Sequence, residues 1–577
     1  MWYSERSSDG YVNPRAELRS AYHIPQATRP PRRKPCSHGH FDVNARALAD
    51  RAASLLLVGF EGTTASEIPL DLLCGLGGIA LFARNIVDAR QTRDLVDGVQ
   101  EAAREAGRPP LIVAIDEEGG TVSRIRHIGT WMPSAMALGA GRDGKVARAV
   151  FRVIGEELAA LGVTLDFAPV ADANTNPRNP VIGVRSFGEP SLASTLVVAA
   201  IGGLHDSHVA ATAKHFPGHG DASVDSHKDL PFIDVGLDRL RAVELVPFRA
   251  AIGAGVDAVM TAHVALRQVD PSEVPATISR AILTDLLRNE LGYDGLICTD
   301  CMQMDAIAAR YPAGEAAVLA IAAGADLVTY SSSITAAKEA TAAIGDAIRS
   351  GRLETEQVER SLERIDALRT RSLVADKKPP LEALKSAEHR NVALDAARRA
   401  ITLVRDTASI LPLDLHEGDK VFVVEFAGAI GSPVEGAGKH QTALGALLDA
   451  RSPARVQEQI RTLDPAGHEY KQLLMAAASA TAIVAVTRRA WAHPLQAQAV
   501  SDLALAGKLL IVVAAREPYD ASIAPPDAAV LAAYGDDPAT LEAVAEVLLG
   551  ARKPIGTLPI SLDVTPTAPV ASSSAVS

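Results

Sequence analysis

The stretch at residues 210–262, AATAKHFPGHGDASVDSHKDLPFIDVGLDRLRAVELVPFRAAIGAGVDAVMTA, contains the repeating unit that decides the fold. It begins with an aliphatic run at 210–215, continues through a polar loop and a segment of helical composition at 237–254, and ends with a second aliphatic run at 257–262. Short, largely apolar runs are typical of strands buried on both faces. A strand, a helix and another strand in this order predict two parallel strands joined by a helical crossover.

The same unit recurs along the first part of the chain. Eight strand–helix units over roughly 250 to 300 residues predict a (β/α)8 barrel of the TIM type. A doubly wound open sheet is the alternative, and the count of eight favours the barrel. The aliphatic runs lie at residues 54–60, 78–82, 111–116, 165–169, 210–215, 257–262, 296–300 and 327–330.

A second pattern of the same α/β class follows a charged, proline-containing stretch at 376–380. Its aliphatic runs lie at 401–404, 421–426, 481–486, 509–515 and 528–534, which predicts a C-terminal three-layer α/β sandwich. A length of 577 residues is consistent with two such domains. The expected boundaries are a flexible tail at 1–40, a catalytic barrel at 41–375, a linker at 376–395, the sandwich at 396–564 and a disordered tail at 565–577.

Composition excludes several classes of function. The chain has 57 Lys and Arg against 69 Asp and Glu, and this net charge of −12 argues against a nucleic-acid partner. No apolar run approaches the ~18 residues that a membrane-spanning helix needs, so no membrane partner is expected. Four cysteines cannot form a disulfide framework and no signal peptide is recognisable, which favours a reducing, cytoplasmic compartment.

Polar residues follow several predicted strands at their carboxyl ends, where barrels of this type place their active sites. Each of them alone could be a helix cap or a surface charge, but several at successive strand ends indicate a site. They are Asp116, Glu117, Glu118 and Arg124 after the third run, Asp172 and Arg185 after the fourth, Lys214 and His215 at the end of the fifth, His263 after the sixth, and Asp300 at the end of the seventh.

The segment at 214–227, KHFPGHGDASVDSH, carries the most specific chemical signal. Asp225 and His227 are two residues apart, so the carboxylate can reach one imidazole nitrogen and raise the basicity of the other, as acid–base catalysis requires. A metal site is an alternative because three histidines are present, although no compact helical pair of ligands occurs. A polar surface loop is the second alternative.

This segment resembles a signature of the family-3 glycoside hydrolases, together with DEEGG at 116–120 and Thr299-Asp300. Within that family it is similar to the β-N-acetylglucosaminidase branch, which has a Lys-His-Phe-Pro-Gly-His-Gly run ending in Asp-Ser-His. The resemblance extends to the second domain, where GTLP at 556–559 is similar to a closing motif of the family. Glu117, where the branch usually has Gln, and Thr121, where Arg is common, depart from the pattern and are expected to change the rim and charge of the pocket.

The resemblance implies a role for each matching residue. Asp300 would be the nucleophile of a retaining glycosidase, and His227, paired with Asp225, its general acid and base. The residues expected to hold the sugar are Asp116, Arg124, Arg185, Lys214 and His215. The implied substrate is a small carbohydrate, an N-acetylglucosamine glycoside from glycans or from cell-wall fragments in peptidoglycan recycling, and neither a cofactor nor a metal is implied.

The same residues leave other functions open beside hydrolysis of terminal β-linked N-acetylglucosamine. A phosphorylase that transfers the sugar to phosphate is the first, because a neutral imidazole does not repel an incoming phosphate as a carboxylate would. A β-glucosidase is less compatible, since those members take an acid/base Glu from the second domain. A non-catalytic sugar-binding barrel is disfavoured because Asp300, Asp225 and His227 are all present.

Two further patterns have weaker interpretations. Cys298 and Cys301 form a Cys-x-x-Cys pair, but at a strand end the two thiols need not face each other, so a redox role is not expected. The glycines between 428 and 438 match neither a phosphate-binding loop nor a dinucleotide fingerprint, so an ordinary loop is expected.

Overall fold

Eight parallel strands close into a barrel in a computed structural model of the protein, which describes residues 38–562 except 74, 373–377 and 429–443. Each strand pairs with the next in the chain and the eighth pairs with the first, so the predicted barrel is confirmed and the open sheet is wrong. The strands are β1 (Leu56–Gly59), β2 (Gly78–Leu81), β3 (Ile112–Ile115), β4 (Leu165–Asp166), β5 (Ala210–Phe216), β6 (Ala258–Thr261), β7 (Leu296–Cys301) and β8 (Leu327–Tyr330).

Helices alternate with these strands and cover the barrel with their apolar faces. The helix Ala89–Glu105 illustrates how these helices begin and pack. Asp88 caps it by accepting a hydrogen bond from the backbone N–H of Gln91, and Leu95 and Val99 are buried one turn apart. The helices of this part of the chain are His38–Ala49, Leu70–Leu73, Ala89–Glu105, Ala135–Gly141, Gly144–Leu161, Pro190–Asp206, Leu237–Ala242, Leu245–Gly253, the π-helical Ala281–Glu290, Asp305–Ala308, Ala313–Ala323, Ile334–Arg349 and Thr355–Ser372.

A second sheet of six strands forms the C-terminal domain. Its strands are β9 (Thr402–Arg405), β10 (Lys420–Phe426), β11 (Arg455–Arg461), β12 (Ala482–Thr487), β13 (Leu509–Ala514) and β14 (Ala529–Ala532), in the spatial order β9-β14-β13-β12-β10-β11. Only β9 runs antiparallel to its neighbour. The accompanying helices are Ala387–Ala400, Leu444–Asp449, Gly467–Ala478, Pro494–Ala504 and Pro538–Leu548.

Apolar side chains cover both faces of this sheet. Along β10, Val421 and Val423 belong to one buried cluster, whereas the alternate residues Phe422 and Val424 belong to another. Successive side chains of a strand point to opposite faces, so the sheet has an apolar core on each side. The predicted three-layer sandwich is therefore confirmed.

The strand β11 is the one strand of this sheet that the sequence analysis missed. Its sequence, RVQEQIR, contains only two apolar residues, Val456 and Ile460, and its side chains are exposed or half-buried. Within the described part of the chain it lies at the edge of the sheet and pairs only with β10. Charged residues are typical of an edge strand because they discourage pairing with a further chain, so no aliphatic run marks it.

The predicted domain boundaries stay predictions. The chain forms two compact units, Met1–Asn44 and Ala45–Ser577, and both sheets belong to the second. The predicted tails lie outside the described residues except for 38–40, which begin the first helix, and so do residues 376–377 and the glycines beyond 428. Within the predicted linker, the described chain forms a turn, Leu381–Ala383, and then starts the helix Ala387–Ala400. None of the helices described is long and apolar enough to cross a bilayer.

A buried histidine joins the helix Ala387–Ala400 to the barrel helix Gly144–Leu161. His389 Nδ1 lies 2.8 Å from Glu157 Oε1, and its Nε2 lies 3.1 Å from Glu156 Oε2. Burial opposes protonation of this imidazole, but the hydrogen bond to Glu157 and the two negative charges outweigh it, so the pKa of His389 is raised. The protonated histidine therefore stabilises the folded chain.

His389→Gln should destabilise the protein more in mild acid than in base. Because the folded-state pKa lies above the ordinary value of about 6.5, the stabilisation is complete below that value and is lost as pH rises through the folded-state pKa. The gap in melting temperature between wild type and variant should be wider by about 2 °C or more at pH 6 than at pH 9. Thermal unfolding at both pH values measures it, and an equal gap at both would contradict the charge-based interpretation.

Candidate active site

A cavity with a volume of about 550 Å³ lies at the carboxyl ends of the barrel strands. Its walls come from the segments that follow β2, β3, β4, β5, β7 and β8. Of the residues expected to act in catalysis or to hold the sugar, all but Asp225, which lies behind His227, line this cavity: they are Asp116, Arg124, Arg185, Lys214, His215, His227 and Asp300. The other polar residues noted at the strand ends, Glu117, Glu118, Asp172 and His263, do not line it.

The floor of the cavity is a network of buried charges centred on Lys214. The Lys214 ammonium, at the end of β5, lies 2.8 Å from Asp116 Oδ1 and 2.6 Å from Glu118 Oε1. Arg185 donates two hydrogen bonds of 2.8 Å to the carboxylate of Glu118. Burial opposes ionisation of Glu118, but Arg185 and Lys214 outweigh it and lower its pKa to about 2. The network therefore holds fixed charges at neutral pH.

Asp116 presents carboxylate oxygens from this network to the cavity. Burial again opposes ionisation, but the charges of Lys214 and Arg124 outweigh it and lower the pKa of Asp116. Its side chain is 16% exposed, whereas that of Lys214 is 1% exposed, so the carboxylate is the more accessible partner. An ionised, oriented carboxylate is well suited to accept hydrogen bonds from sugar hydroxyls.

Glu117 does not line the cavity, which corrects the expectation that it changes the rim of the pocket. It begins a small hairpin of the strands Glu117–Gly119 and Val122–Ser123, and its carboxylate accepts hydrogen bonds from the backbone N–H groups of Arg124 and Ile125, at 2.8 and 3.2 Å. Burial raises the pKa of Glu117 to about 7. Thr121, at the turn of the hairpin, is also absent from the lining. Glu117 therefore supports the segment that carries Arg124.

Asp172 organises two histidines of the neighbouring segment. Its Oδ2 lies 2.7 Å from His215 Nδ1, and its Oδ1 accepts a hydrogen bond of 2.7 Å from the backbone N–H of His219. The carboxylate is fully buried; burial opposes its ionisation, but His215 outweighs this and the pKa of Asp172 is lowered. The sequence marked Asp172 as a polar residue after a strand but gave no sign of its partners.

Asp225 and His227 form a hydrogen-bonded pair, as their spacing allows. His227 Nδ1 lies 2.8 Å from Asp225 Oδ1, which also accepts a hydrogen bond of 2.9 Å from the backbone N–H of His227. The carboxylate side chain is 3% exposed and the imidazole 24% exposed. With Nδ1 bonded to the buried carboxylate, Nε2 is the nitrogen left for chemistry in the cavity.

Asp300 lies at the end of β7, in the cavity wall. Its carboxylate accepts a hydrogen bond of 2.7 Å from the backbone N–H of Cys301. Burial opposes ionisation, but the charges of His263, His215 and His227 outweigh it, so the pKa of Asp300 is lowered. His263 itself is bonded to Thr277 and to the carbonyl of Cys301 rather than lying free in the cavity. Asp300 is therefore an ionised carboxylate facing the cavity.

Several other residues that line the cavity were not predicted from the sequence. The predicted polar groups follow the third to seventh strands, whereas residues after β2 and β8 also reach the cavity. Most of them could have been found from their position at or shortly after a strand end. Only Arg84 among them is charged, so the search for charged groups did not reveal the others. The missed residues include Phe82, Arg84, Cys301, Gln303, Ser331 and Ser332.

The metal and redox alternatives find no support in the described part of the chain. Within it, no group of three or more His, Cys, Asp or Glu side chains is arranged to hold a metal ion. Cys298 and Cys301 are both free thiols. Cys298 is fully buried, whereas the thiol of Cys301 lies 2.9 Å from Ser331 Oγ at the cavity, so the two sulfurs have separate surroundings.

Comparison with known proteins identifies the family of the chain. Residues 49–368, more than half of the chain, match the family model described as "Glycosyl hydrolase family 3 N terminal domain". "Beta-hexosaminidase A" of Pseudoalteromonas piscicida is 32% identical over 541 residues, which cover 85% of this chain and 89% of that protein. A "Beta-hexosaminidase" of Alkalilimnicola ehrlichii is 39% identical over 282 residues, 47% of this chain and 79% of that protein.

Among solved structures, a glycoside hydrolase family 3 beta-N-acetylglucosaminidase from Paenibacillus sp. str. FPU-7 is similar over both domains. It is 38% identical with a TM-score of 0.84, over 90% of this chain and 99% of that chain. The family resemblance predicted from the loop at 214–227 is thereby confirmed. With a family model over most of the barrel and a full-length relative above 30% identity, this chain belongs to glycosyl hydrolase family 3.

Proposed function

We propose that this chain is a retaining β-N-acetylhexosaminidase that hydrolyses terminal β-linked N-acetylglucosamine. The names of the relatives at 32% and 39% identity and of the Paenibacillus structure support the substrate class. The observation that carries the mechanism is the pairing of His227 with buried Asp225 at the cavity whose wall contains Asp300. A nucleophilic carboxylate and a separate proton donor are the two groups that a retaining glycosidase requires.

In the first step, a carboxylate oxygen of Asp300 attacks the anomeric carbon of the bound sugar. The bond from that oxygen to the carbon forms as the bond to the leaving-group oxygen breaks, and Nε2 of protonated His227 gives its proton to the departing oxygen. The result is a glycosyl ester on Asp300, a neutral imidazole and the free alcohol. Asp225 stabilises the positive imidazolium before the transfer and keeps the ring oriented.

In the second step, neutral His227 takes a proton from water as the water oxygen attacks the anomeric carbon. The ester bond to Asp300 breaks, the carboxylate is regenerated, and N-acetylglucosamine leaves with its original anomeric configuration. An imidazole is suited to both steps because it exchanges protons near neutral pH.

Holding of the sugar is assigned to the charged network below these groups. Asp116 accepts hydrogen bonds from hydroxyls, while Lys214 and Arg124 keep it ionised and donate to ring substituents. Arg185 and His215 extend the same wall, with Arg185 Nη2 3.5 Å from His215 Nε2.

Turnover of 4-nitrophenyl β-N-acetylglucosaminide with and without phosphate tests the proposal. Hydrolysis predicts free N-acetylglucosamine as the sugar product under both conditions, with the β-anomer appearing first by proton NMR. Formation of N-acetylglucosamine 1-phosphate that depends on phosphate would instead make the enzyme a phosphorylase. The α-anomer as first product would exclude the covalent mechanism, and faster turnover of the β-glucoside would exclude the substrate class.

A further inference from the structure

The segment after β4, residues 172–188, lies between the active-site cavity and the second domain. On the cavity side, Arg185 binds Glu118 through two hydrogen bonds and lines the cavity. The same segment is tied to the loop after β5, since the side-chain amide of Asn179 donates to the carbonyls of His219 and Gly220. The position of Arg185 thus depends on how this segment is held from behind.

Three residues of the second domain hold it there. Arg489 Nη1 donates a hydrogen bond of 3.2 Å to the carbonyl of Pro180, and the amide of Asn174 donates one of 2.8 Å to the hydroxyl of Tyr519. Glu517 completes the set through an ion pair with Arg489, at 2.7 Å. We call Arg489, Glu517 and Tyr519 the domain clamp.

The contact between the clamp and the turn before Arg185 leaves no free space. At Gly183, an added Cβ would lie 1.8 Å from Glu517 Oε1 and 2.8 Å from Arg489 Nη2. Gly183 also has a φ of +44°, in the region that favours glycine, and it begins the turn Gly183–Arg185. A displacement of the Glu517 carboxylate would therefore move Gly183, which lies two residues before Arg185.

The domain clamp has two features that attachment of one domain to the other does not require: a buried ion pair and a strained backbone conformation. The side chains of Arg489 and Glu517 are only 7% and 2% exposed, and a buried ion pair is rarely more stabilising than apolar side chains of similar volume. Arg489 also has a φ of 52°, a left-handed conformation that costs free energy for a residue other than glycine. Other contacts join the domains, such as the bond of 2.7 Å from Ser134 Oγ to the carbonyl of Tyr534.

We propose that the domain clamp positions Arg185, so that the second domain helps to set the affinity of the barrel for its sugar through this segment. The inference rests on the proposed role of Arg185 in holding the sugar. The clamp residues are positioning residues, because the nucleophile and the acid/base pair lie on other segments. Loss of the clamp should therefore weaken binding of the sugar more than it slows the chemical steps.

The test measures kcat and KM for 4-nitrophenyl β-N-acetylglucosaminide in the full chain. The double variant Arg489→Met/Glu517→Gln removes both charges of the ion pair; it should raise KM about 10-fold and change kcat by about twofold or less. Arg489→Lys keeps the charge and should restore part of the affinity. The matched control is Arg398→Met/Glu546→Gln, an ion pair of the second domain without a contact to this segment, which should leave KM unchanged.

Two further measurements make the result specific. Tyr519→Phe removes a single hydroxyl and should raise KM about twofold to threefold, and this variant decides the matter if the double variant does not fold. In an Arg185→Lys background the clamp changes should add little to KM, because residues that act through one another are not additive.

The outcomes separate the clamp from the proposed function. If Arg185→Lys raises KM while the folded clamp variants do not, the proposed role of the clamp is wrong, and the proposed role of Arg185 in binding the sugar is retained. If Arg185→Lys itself leaves KM unchanged, the assigned role of Arg185 fails and the clamp fails with it. Fully additive changes with Arg185→Lys, or an equal change in the control, would also overturn the proposal.

Discussion

Asp300→Asn should lower turnover about 10³-fold or more while the protein keeps its fold, because the amide cannot form the covalent ester. The substitution preserves the size of the side chain at the end of β7. The expected loss should appear in kcat for the 4-nitrophenyl glycoside, with a melting temperature close to that of the wild type. A mechanism-based fluorosugar should also label wild-type Asp300, which peptide mass spectrometry detects.

The control for Asp300 is Asp305→Asn, an exposed carboxylate five residues later in the first turn of the helix Asp305–Ala308. It should retain full turnover. Labelling of any other carboxylate by the fluorosugar would remove Asp300 from its proposed role, even if Asp300→Asn is inactive.

The Asp225–His227 pair should behave as one unit. His227→Ala should lower kcat/KM about 10²- to 10⁴-fold, which is the usual contribution of a general acid and base. Since Asp225 acts through the imidazole that it orients at 2.8 Å, Asp225→Ala in the His227→Ala background should cost little more. A substrate with a better leaving group needs less protonation, so the His227 variant should recover on it in part.

The chain offers a matched control for this pair. Asp414 and His416 have the same spacing but lie on the surface, with side chains 90% and 75% exposed and 3.6 Å between Nε2 and Oδ2. Their alanine variants should leave kcat/KM unchanged. Fully multiplicative losses for Asp225 and His227 would show that the two residues act independently.

The pattern of apolar residues along short segments of the chain was sufficient to predict most of the fold. The barrel strands lie in largely apolar, buried runs, so eight runs in the sequence were visible as eight strands. Hydrophobic pattern does not mark β11, an edge strand that begins with Arg455 and ends with Arg461. An edge strand buries less apolar surface than a central one, so the property that revealed the other strands is absent from it.

The sequence by itself was enough to place the candidate site at one end of the barrel and to pair Asp225 with His227, because strand ends and two-residue spacings are local properties. Only the tertiary structure decided which charges meet. Lys214 reaches Asp116 across 98 residues, and Arg489 reaches the carbonyl of Pro180 across 309. Such partners are set by closure of the barrel and by docking of the second domain on it, which bring together segments whose separation along the chain carries no signal of contact.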